Sequence, residues 1–255
     1  NNLNKYKMNY FLDTEFLEGS QKTLFGKTKP TIDLISIGIV SEDGREYYAI
    51  SKDFNLKEAW NRWQQRTGEG DRNNIEPRLY WIRENVLKPI YKELLKRENN
   101  SNVKGNYMFG FNLPVIKYNF TYKNFKRLVN KYGKTNKQIA EEVKVFCTGD
   151  VLSIEKARYY EVQHKPCKFY AYYADYDWVA FCWLFGKMID LPNGFSMYCR
   201  DLKQILDEKE MARQDGTDMT ELRNLPTYPK QENEHNALDD AQWNFKLFQF
   251  LQGVS

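Results

Sequence analysis

The chain has 255 residues, 42% of them hydrophobic, which is enough to fill the core of one large domain. Its 38 basic and 34 acidic side chains leave a net charge of only +4, which does not by itself indicate a nucleic-acid partner. The sequence has no apolar run of the roughly 20 residues that a transmembrane helix needs, and it does not open with a secretion signal. We therefore expect a soluble, cytoplasmic protein with no membrane partner.

Four cysteines lie in the second half of the chain with no C-x-x-C pair among them. This spacing indicates neither a zinc site nor a disulfide framework. We expect reduced thiols in the core, at Cys147, Cys167, Cys182 and Cys199.

The chain opens with three strands that we expect to pair antiparallel. An apolar run ends in "YFLDTEF", and residues 31–40 ("TIDLISIGIV") are rich in β-branched side chains, as strands usually are. Asp43-Gly44 then gives the two-residue hairpin signal before a third strand-like run. The polar loop at residues 19–30 follows the acidic end of the first strand and is a candidate border for a substrate site.

The first strand carries two carboxylates, Asp13 and Glu15, where a buried strand is expected to end. Side chains two apart on a strand point to the same face, so both acids share the face of Asn9 and Phe11. One interpretation is a strand end that frays into solvent with hydrated acids. The other is a divalent cation between the carboxylates, because like charges on a mostly buried surface need a compensating positive charge. The spacing alone favours neither.

The middle of the chain is predicted to be mainly helical. Residues 77–98 place apolar side chains at helical spacing, with a kink expected at Pro89, and residues 99–106 ("NNSNVKGN") have the composition of a loop. Residues 117–137 interleave lysines with aromatic rings, which suits either a nucleic-acid surface or an amphipathic helix with solvated lysines. Residues 136–147 ("NKQIAEEVKVFC") predict a further helix.

A strand, two helices and a long polar loop are predicted next. Residues 168–174 have the pattern of a buried strand that turns into an apolar helix near Asp177, and Gly186 ends that helix. The stretch "YCRDLKQILDE" predicts another helix, with Asp201 as its cap. Residues 213–234 are polar, contain two prolines and have the composition of a loop.

The last helix is predicted to begin at Ala237. Asn236 is followed three residues later by Asp239, which is the spacing of a capping box. His235 and Asp240 then take the N′ and N4 positions, which meet in a hydrophobic staple. We therefore expect this imidazole and this carboxylate to lie close together.

Three short motifs, taken in chain order, resemble one known family. "DTE" after the first strand, "YD" before a helix and "HNALDDA" near the C-terminus resemble the DEDDh 3′-to-5′ exonucleases of the DnaQ-like, ribonuclease H-like superfamily. The wording of "YFLDTEF", "YDWVAFCWLFG" and "DLKQIL" is most similar to the short mycobacterial-type 3′-to-5′ exoribonucleases. The resemblance implies an α/β fold with a ribonuclease H-like mixed sheet, in which an antiparallel opening meander and parallel strands are flanked by helices. It implies a single exonuclease domain over residues 8–252, with insertions at about 98–135 and 213–234.

The resemblance also implies a metal-dependent chemistry. Oxygen-rich acidic ligands favour Mg²⁺ or Mn²⁺, and two such ions can activate a water and stabilise the leaving oxygen. Asp13 would bridge both ions, Glu15, Asp177 and Asp240 would complete the set of metal ligands, and His235 would act as general base. The products would be nucleoside 5′-monophosphates from the 3′ end of a single-stranded RNA.

Several alternatives stay open from the sequence. A 3′-5′ DNA exonuclease would need the same acids and the same histidine, because RNA is distinguished from DNA by contacts to the 2′-hydroxyl. A non-catalytic nucleic-acid-binding module would not need all four acids. Phe16 and Leu17 are candidate substrate-binding residues that would wedge against the terminal base, with core packing as the alternative. A homodimer is possible in such families, although no residue here indicates one.

Overall fold

A five-stranded mixed sheet forms the centre of the structure. The computed structural model describes residues 8–63, 79–107, 118–149, 166–214 and 221–254. The strands, in chain order, are β1 (Met8–Gly19), β2 (Lys22–Thr23), β3 (Gly26–Lys27), β4 (Thr31–Ser41), β5 (Glu46–Ile50), β6 (Cys167–Ala171) and β7 (Phe195–Asp201). The sheet has the order β5-β4-β1-β6-β7, while β2 and β3 form a separate small hairpin.

The sheet is antiparallel on one side of β1 and parallel on the other. β1 pairs antiparallel with β4, and β4 with β5, so the opening meander is confirmed. β6 pairs parallel with β1, and β7 with β6. This is the α/β, ribonuclease H-like mixed sheet that the sequence predicted.

Helices cover both faces of this sheet. They are α1 (Leu56–Asn61), a π-helical turn (Arg83–Leu87) that continues into α2 (Lys88–Tyr107), α3 (Tyr122–Tyr132), α4 (Asn136–Thr148), α5 (Asp175–Phe185), α6 (Leu202–Gln214) and α7 (Ala237–Gly253). Short 3₁₀ turns span Met188–Asp190 and Leu222–Asn224. Among the described helices, none is both long and apolar enough to cross a membrane.

Alternate residues of β1 belong to different cores, as expected for a strand. Tyr10 and Leu12 pack with side chains of α4 and α5 on one face. Phe11 packs on the other face with side chains of α6 and α7, including Phe248. Because side chains two apart share a face, Asp13 and Glu15 follow Phe11 towards α7.

The register of β1 against β4 changes directly after the second acid. Glu15 pairs with Ser36, but its neighbour Phe16 pairs with Leu34. Ile35 is therefore an extra residue in β4, and such bulges bend a strand and redirect its side chains. The acidic part of β1 thus ends at an irregularity of the sheet.

The helix that contains Pro89 is longer than the sequence indicated, and the expected loop at 99–106 is wrong. α2 continues to Tyr107, and the π-helical turn lies just before the proline, where a kink was expected. Glu98 is buried at the side of α3, where it accepts hydrogen bonds from Arg127 and Lys131. These contacts hold the second half of α2 against α3. The helix therefore continues past its last apolar position, although the Asn and Ser residues that follow are weak helix formers.

Two element boundaries in the second half of the chain also differ from the prediction. β6 ends at Ala171 rather than 174, and the first residues of "YCRDLKQILDE" belong to strand β7 rather than to a helix. Asp201 does cap α6, because its Oδ1 accepts a hydrogen bond from the N–H of Lys203 at 2.7 Å. The same carboxylate accepts from the N–H of Tyr173 at 3.1 Å, which fixes the turn after β6.

The remaining helical predictions are confirmed. α3 is an amphipathic helix that buries Phe125, Leu128 and Val129, and α4 spans the residues that predicted it. The four cysteines form no disulfide bond with one another, and three of them are buried. The two predicted insertions are described only in part, because residues 108–117 and 215–220 lie outside the described residues.

The first turn of α7 lies directly against β4 at Gly38. A Cβ added to Gly38 would lie 2.1 Å from the carbonyl oxygen of Ala237 and 2.5 Å from the Cα of Leu238. Only glycine permits such an approach of two backbones, since it has no Cβ. Gly38 pairs with Asp13 in the sheet, so this contact brings the start of α7 to the acids of β1.

We expect Gly38→Ala to lower the free energy of unfolding by about 1–3 kcal/mol, because the added methyl group must displace the backbone of α7. Urea unfolding followed by circular dichroism measures the change. Gly253→Ala is the matched control, since a Cβ there meets no atom within 4 Å. Equal stability of the two variants would contradict the close approach.

Candidate active site

A pocket of about 470 Å³ opens beside β1 and the start of α7. Its wall combines residues from β1, the turn after β6, the first turns of α5 and α7, and Trp81 and Ile82 just before the π-helical turn. The pocket contains every acid that the family resemblance singled out, together with its histidine: Asp13, Glu15, Asp177, His235 and Asp240. Residues separated by more than 200 positions in the chain therefore line one cavity.

Three carboxylates converge most closely. Asp13, Glu15 and Asp240 each offer an oxygen atom, and these three atoms all lie within 4.8 Å of one another. The first two come from one face of β1, and Asp240 comes from the first turn of α7. The two strand acids were expected to need a positive charge between them, and Asp240 adds a third carboxylate with the same need.

Asp177 lines the same pocket but is held separately. Its Oδ1 accepts a hydrogen bond from the N–H of Thr14 at 2.9 Å and another from the Thr14 hydroxyl at 2.5 Å. Thr14 lies between the two strand acids in sequence and is itself buried. These two bonds fix α5 against β1 and keep the Asp177 carboxylate near Asp13.

The acids are energetically strained as a set, because each would have to ionise in a buried, negatively charged place. Burial raises the pKa of Glu15 to about 8, and repulsion from Asp240 and Asp177 acts in the same direction. Burial raises the pKa of Asp177 to about 7, although the Thr14 hydrogen bonds act against it. Burial, with repulsion from the other three acids, raises the pKa of Asp13 well above its usual range. Burial also raises the pKa of Asp240.

His235 lies at the helix entrance close to Asp240, as predicted, and it hydrogen-bonds this carboxylate through its backbone. The N–H of His235 donates to Oδ2 of Asp240 at 2.9 Å. The imidazole packs edge-to-face on the indole of Trp81, with ring centroids 4.7 Å apart. His235 has φ +70°, a left-handed conformation that sequence spacing does not reveal, and this changes the direction of its side chain.

Helix α7 begins as the capping pattern predicted. The Oδ1 of Asn236 accepts hydrogen bonds from the N–H groups of Leu238 and Asp239, at 3.0 and 3.4 Å. The first helical residue is Ala237. Asp240 is therefore held in the first turn by backbone geometry that does not depend on the imidazole.

The two residues that follow the strand acids have different environments. Phe16 lines the pocket and packs edge-to-face on the exposed ring of Tyr176, with centroids 5.7 Å apart. Leu17 is fully buried and packs in the core formed with α2 and α3. Core packing, the alternative that the sequence left open, describes Leu17, and only Phe16 remains a candidate for substrate contact.

Two polar residues that the sequence did not single out support the acids. Nε2 of Gln231 donates to Oδ1 of Asp240 at 2.6 Å. Nδ2 of Asn244 donates to the carbonyl oxygen of Leu12 at 3.0 Å and joins α7 to β1 next to the acids. Asn244 lies one helical turn after Asp240, and a polar side chain at a buried helical position was the signal available in the sequence. Gln231 had no such signal, because it lies in the loop-like segment.

The composition of this site fits a hard divalent cation. The converging donors are carboxylate oxygens, which Mg²⁺ and Mn²⁺ prefer, and no thiolate lines the described pocket. Protonation and a bound cation are the two ways to relieve repulsion among such acids. As the pH rises through these raised pKa values and the protons leave, a cation is the remaining partner for the set.

Comparison with known proteins connects this pocket with one kind of activity. No family model matches the chain. Two curated proteins of Mycobacterium tuberculosis, from strains CDC 1551 and H37Rv, are similar to it, and both are named 3′-5′ exoribonuclease. Each is 26% identical over 244 residues, a region that covers 96% of this chain and 93% of the relative. The similarity covers nearly the whole chain and supports a relationship with exoribonucleases.

We expect the metal-free protein to lose stability as the pH rises from about 4.5 to about 8. The carboxyls with a raised pKa bind protons more tightly in the folded chain than in the unfolded chain. Their contribution is therefore complete below the ordinary carboxyl pKa and is lost as the pH rises through the folded values. Thermal unfolding in EDTA across this range measures the loss, and added Mg²⁺ should reverse it at pH 8.

Asp13→Asn should flatten that pH dependence, because it removes one of the repelling charges. We expect its melting temperature in EDTA at pH 8 to exceed that of the wild type by roughly 3–10 °C. Glu141→Gln, an exposed change on α4, is the control and should leave the profile unchanged. A wild-type profile that rises or stays level between pH 4.5 and 8 would contradict the raised pKa values.

Proposed function

We propose that this protein is a metal-dependent 3′-to-5′ exoribonuclease of the DEDDh, DnaQ-like type, which releases nucleoside 5′-monophosphates from RNA 3′ ends. The observation that carries the proposal is the convergence of Asp13, Glu15 and Asp240 within 4.8 Å, in a pocket that also contains Asp177 and His235. The names of the two mycobacterial relatives support the same activity.

Four acids would hold two divalent ions, Mg²⁺ or Mn²⁺. Asp13, Glu15 and Asp240 already share the space that an ion requires, and Asp177 lies beside them with its Oδ1 hydrogen-bonded to Thr14. When bound, a pair of ions activates the attacking water and neutralises charge on the leaving oxygen. The chain's own contribution is a fixed, largely buried set of oxygens on β1, α5 and α7.

His235 would take the proton of the attacking water on an imidazole nitrogen. Its backbone N–H is committed to Asp240, whereas its ring rests against Trp81 within the pocket wall. An imidazole can accept a proton near neutral pH, as this step requires.

A silent binding module is the less favoured reading, because such a module gains nothing from acids whose burial raises their pKa. Holding these charges together opposes folding at neutral pH, which suits a site that needs them for chemistry. We propose RNA rather than DNA as the substrate only because both relatives are named exoribonucleases. DNA hydrolysis is accordingly one outcome of the test.

The proposal predicts metal-dependent release of nucleotides from a free 3′ end. Purified protein is incubated with 3′-tailed RNA and DNA, single- and double-stranded, with Mg²⁺, Mn²⁺ or EDTA. We expect 5′-monophosphates from single-stranded RNA with either metal, no release in EDTA, and protection by a 3′ block but not by a 5′ block. Release in EDTA, or cleavage of a circular RNA, would overturn the proposal. Faster digestion of DNA than of RNA would show that DNA is the substrate.

A second prediction separates the histidine from the metal site. We expect His235→Asn to lower the single-turnover rate by about 10²–10⁴-fold, the usual contribution of a general base, while Mn²⁺ affinity measured by calorimetry changes little. Asparagine is the sharper test than alanine, since it tolerates the left-handed backbone at this position and keeps the N–H for Asp240.

The control for this variant is Asn233→Gly, a change at the nearby left-handed residue (φ +54°), which should keep both the rate and the metal affinity. Loss of Mn²⁺ binding in His235→Asn would make the histidine part of the metal site. A normal rate per folded molecule would remove it from the mechanism.

A further inference from the structure

A second groove, of about 610 Å³, lies next to the acid pocket. The two cavities share three lining residues, Tyr172, Gln231 and Trp243, so they adjoin each other. Most of the groove wall comes from residues 221–234, part of a segment that the resemblance to exonucleases marked as an insertion. The groove thus lies where the family pattern assigns no residue.

The groove wall is firmly attached to the rest of the protein. Leu222 is fully buried in the core with α6 and α7. The indole N–H of Trp243 donates to the carbonyl oxygen of Pro229 at 3.0 Å, and Gln231 donates to Asp240. The segment is therefore a built surface whose position is tied to the acid site itself.

The groove carries cationic side chains that can contact an anion. Arg223 is exposed and uses one Nη2 donor on the hydroxyl oxygen of Tyr172, at 3.1 Å, out of the five donors that a guanidinium has. Lys230 is exposed and forms no ion pair with the described residues. Glu234 also lines the groove, which leaves an excess of one positive charge.

Among the described residues that line it, the acid pocket has little positive charge to offer a phosphate. Arg62 lines it, but its guanidinium donates to the carbonyl oxygens of Glu18 and Ser20 and pairs with Glu58. A polyanionic strand that enters the acid pocket needs cations along its path, because phosphates dominate nucleic-acid affinity. Arg223 and Lys230 line the adjoining groove, which shares Tyr172 with the acid pocket.

Aromatic rings also line the groove. Tyr172 packs edge-to-face on Trp243, with centroids 5.0 Å apart, and Tyr228 lies 6.4 Å from the same indole. Tyr173 adds an exposed ring to the wall of the acid pocket, 4.8 Å from the ring of Tyr172, on a backbone with φ +55°. Rings that alternate with cations are the usual platform for single-stranded nucleic acids, because bases stack on them.

We propose that Arg223, Lys230, Tyr172 and Tyr228 form a subsite for a nucleotide upstream of the scissile bond in a single-stranded nucleic acid. This assignment rests on the proposed function, which places the 3′ end of the strand in the acid pocket. The nucleotides upstream of the scissile bond then lie in the groove. Arg223 and Lys230 contact the phosphodiester groups, and the tyrosine rings contact the bases. The inserted segment thereby sets the minimum length of a well-bound substrate.

The test measures binding rather than turnover. Fluorescence anisotropy is recorded with 5′-labelled RNAs of one, two, four and six nucleotides, in EDTA and with Ca²⁺, for the wild type and for Arg223→Gln/Lys230→Gln. Lys123→Gln/Lys126→Gln on α3 is the control, since it removes the same charge from exposed positions that line neither cavity. Melting temperatures verify that both variants are folded.

We expect the groove variant to bind four- and six-nucleotide RNA about tenfold more weakly. The plot of log affinity against log salt concentration should become less steep by about 1.4, which is the contribution of two phosphate contacts to a single strand. Binding of the mononucleotide should not change, and the control should match the wild type. Equal losses in both variants, a loss in the control alone, or an unchanged groove variant would each overturn the subsite.

These outcomes are distinguishable from failure of the proposed function. An unchanged groove variant together with normal Mg²⁺-dependent release of nucleotides would remove the subsite and leave the exoribonuclease standing. A length-dependent binding loss without any hydrolysis by the wild type would support the subsite and show that the catalytic proposal is wrong.

Discussion

The backbone contact between Gly38 and the first turn of α7 is the constraint on which the site depends. It joins a helix from the end of the chain to a central strand at the residue paired with Asp13. The N-cap at Asn236 fixes where that helix begins, and Asn244 fixes its rotation through the carbonyl oxygen of Leu12. Asp240 can face the strand acids only while these contacts hold.

The protein separates its charges over a short distance. One cavity concentrates carboxylates in a buried place, and the adjoining groove presents Arg223 and Lys230 to solvent. The carboxylate cavity attracts small cations and the groove attracts phosphates. A nucleic-acid strand and divalent ions would therefore be drawn to neighbouring positions. Gln231 belongs to both walls and hydrogen-bonds Asp240, which couples the groove to the acid cluster.

The parts of the site that the sequence predicted are those set by local geometry. Strand alternation placed Asp13 and Glu15 on one face, and the helix-capping pattern placed Asp240 in the first turn of α7. The direction of the His235 ring was not predictable, because a left-handed residue leaves no trace in spacing. The groove, strand β7 and the full length of α2 depend on contacts between distant segments, such as Glu98 with α3, which override local propensity.

The raised pKa values have a consequence for how ions enter the pocket. With the pKa of Glu15 near 8 and that of Asp177 near 7, the pocket holds protons at neutral pH. A cation that binds there would have to displace those protons, so its uptake would be an exchange reaction that acidifies the surroundings. The apparent affinity for the ion would then increase with pH, and the measured heat of binding would depend on the buffer that receives the protons. The pocket would in this sense store protons that a bound divalent ion releases.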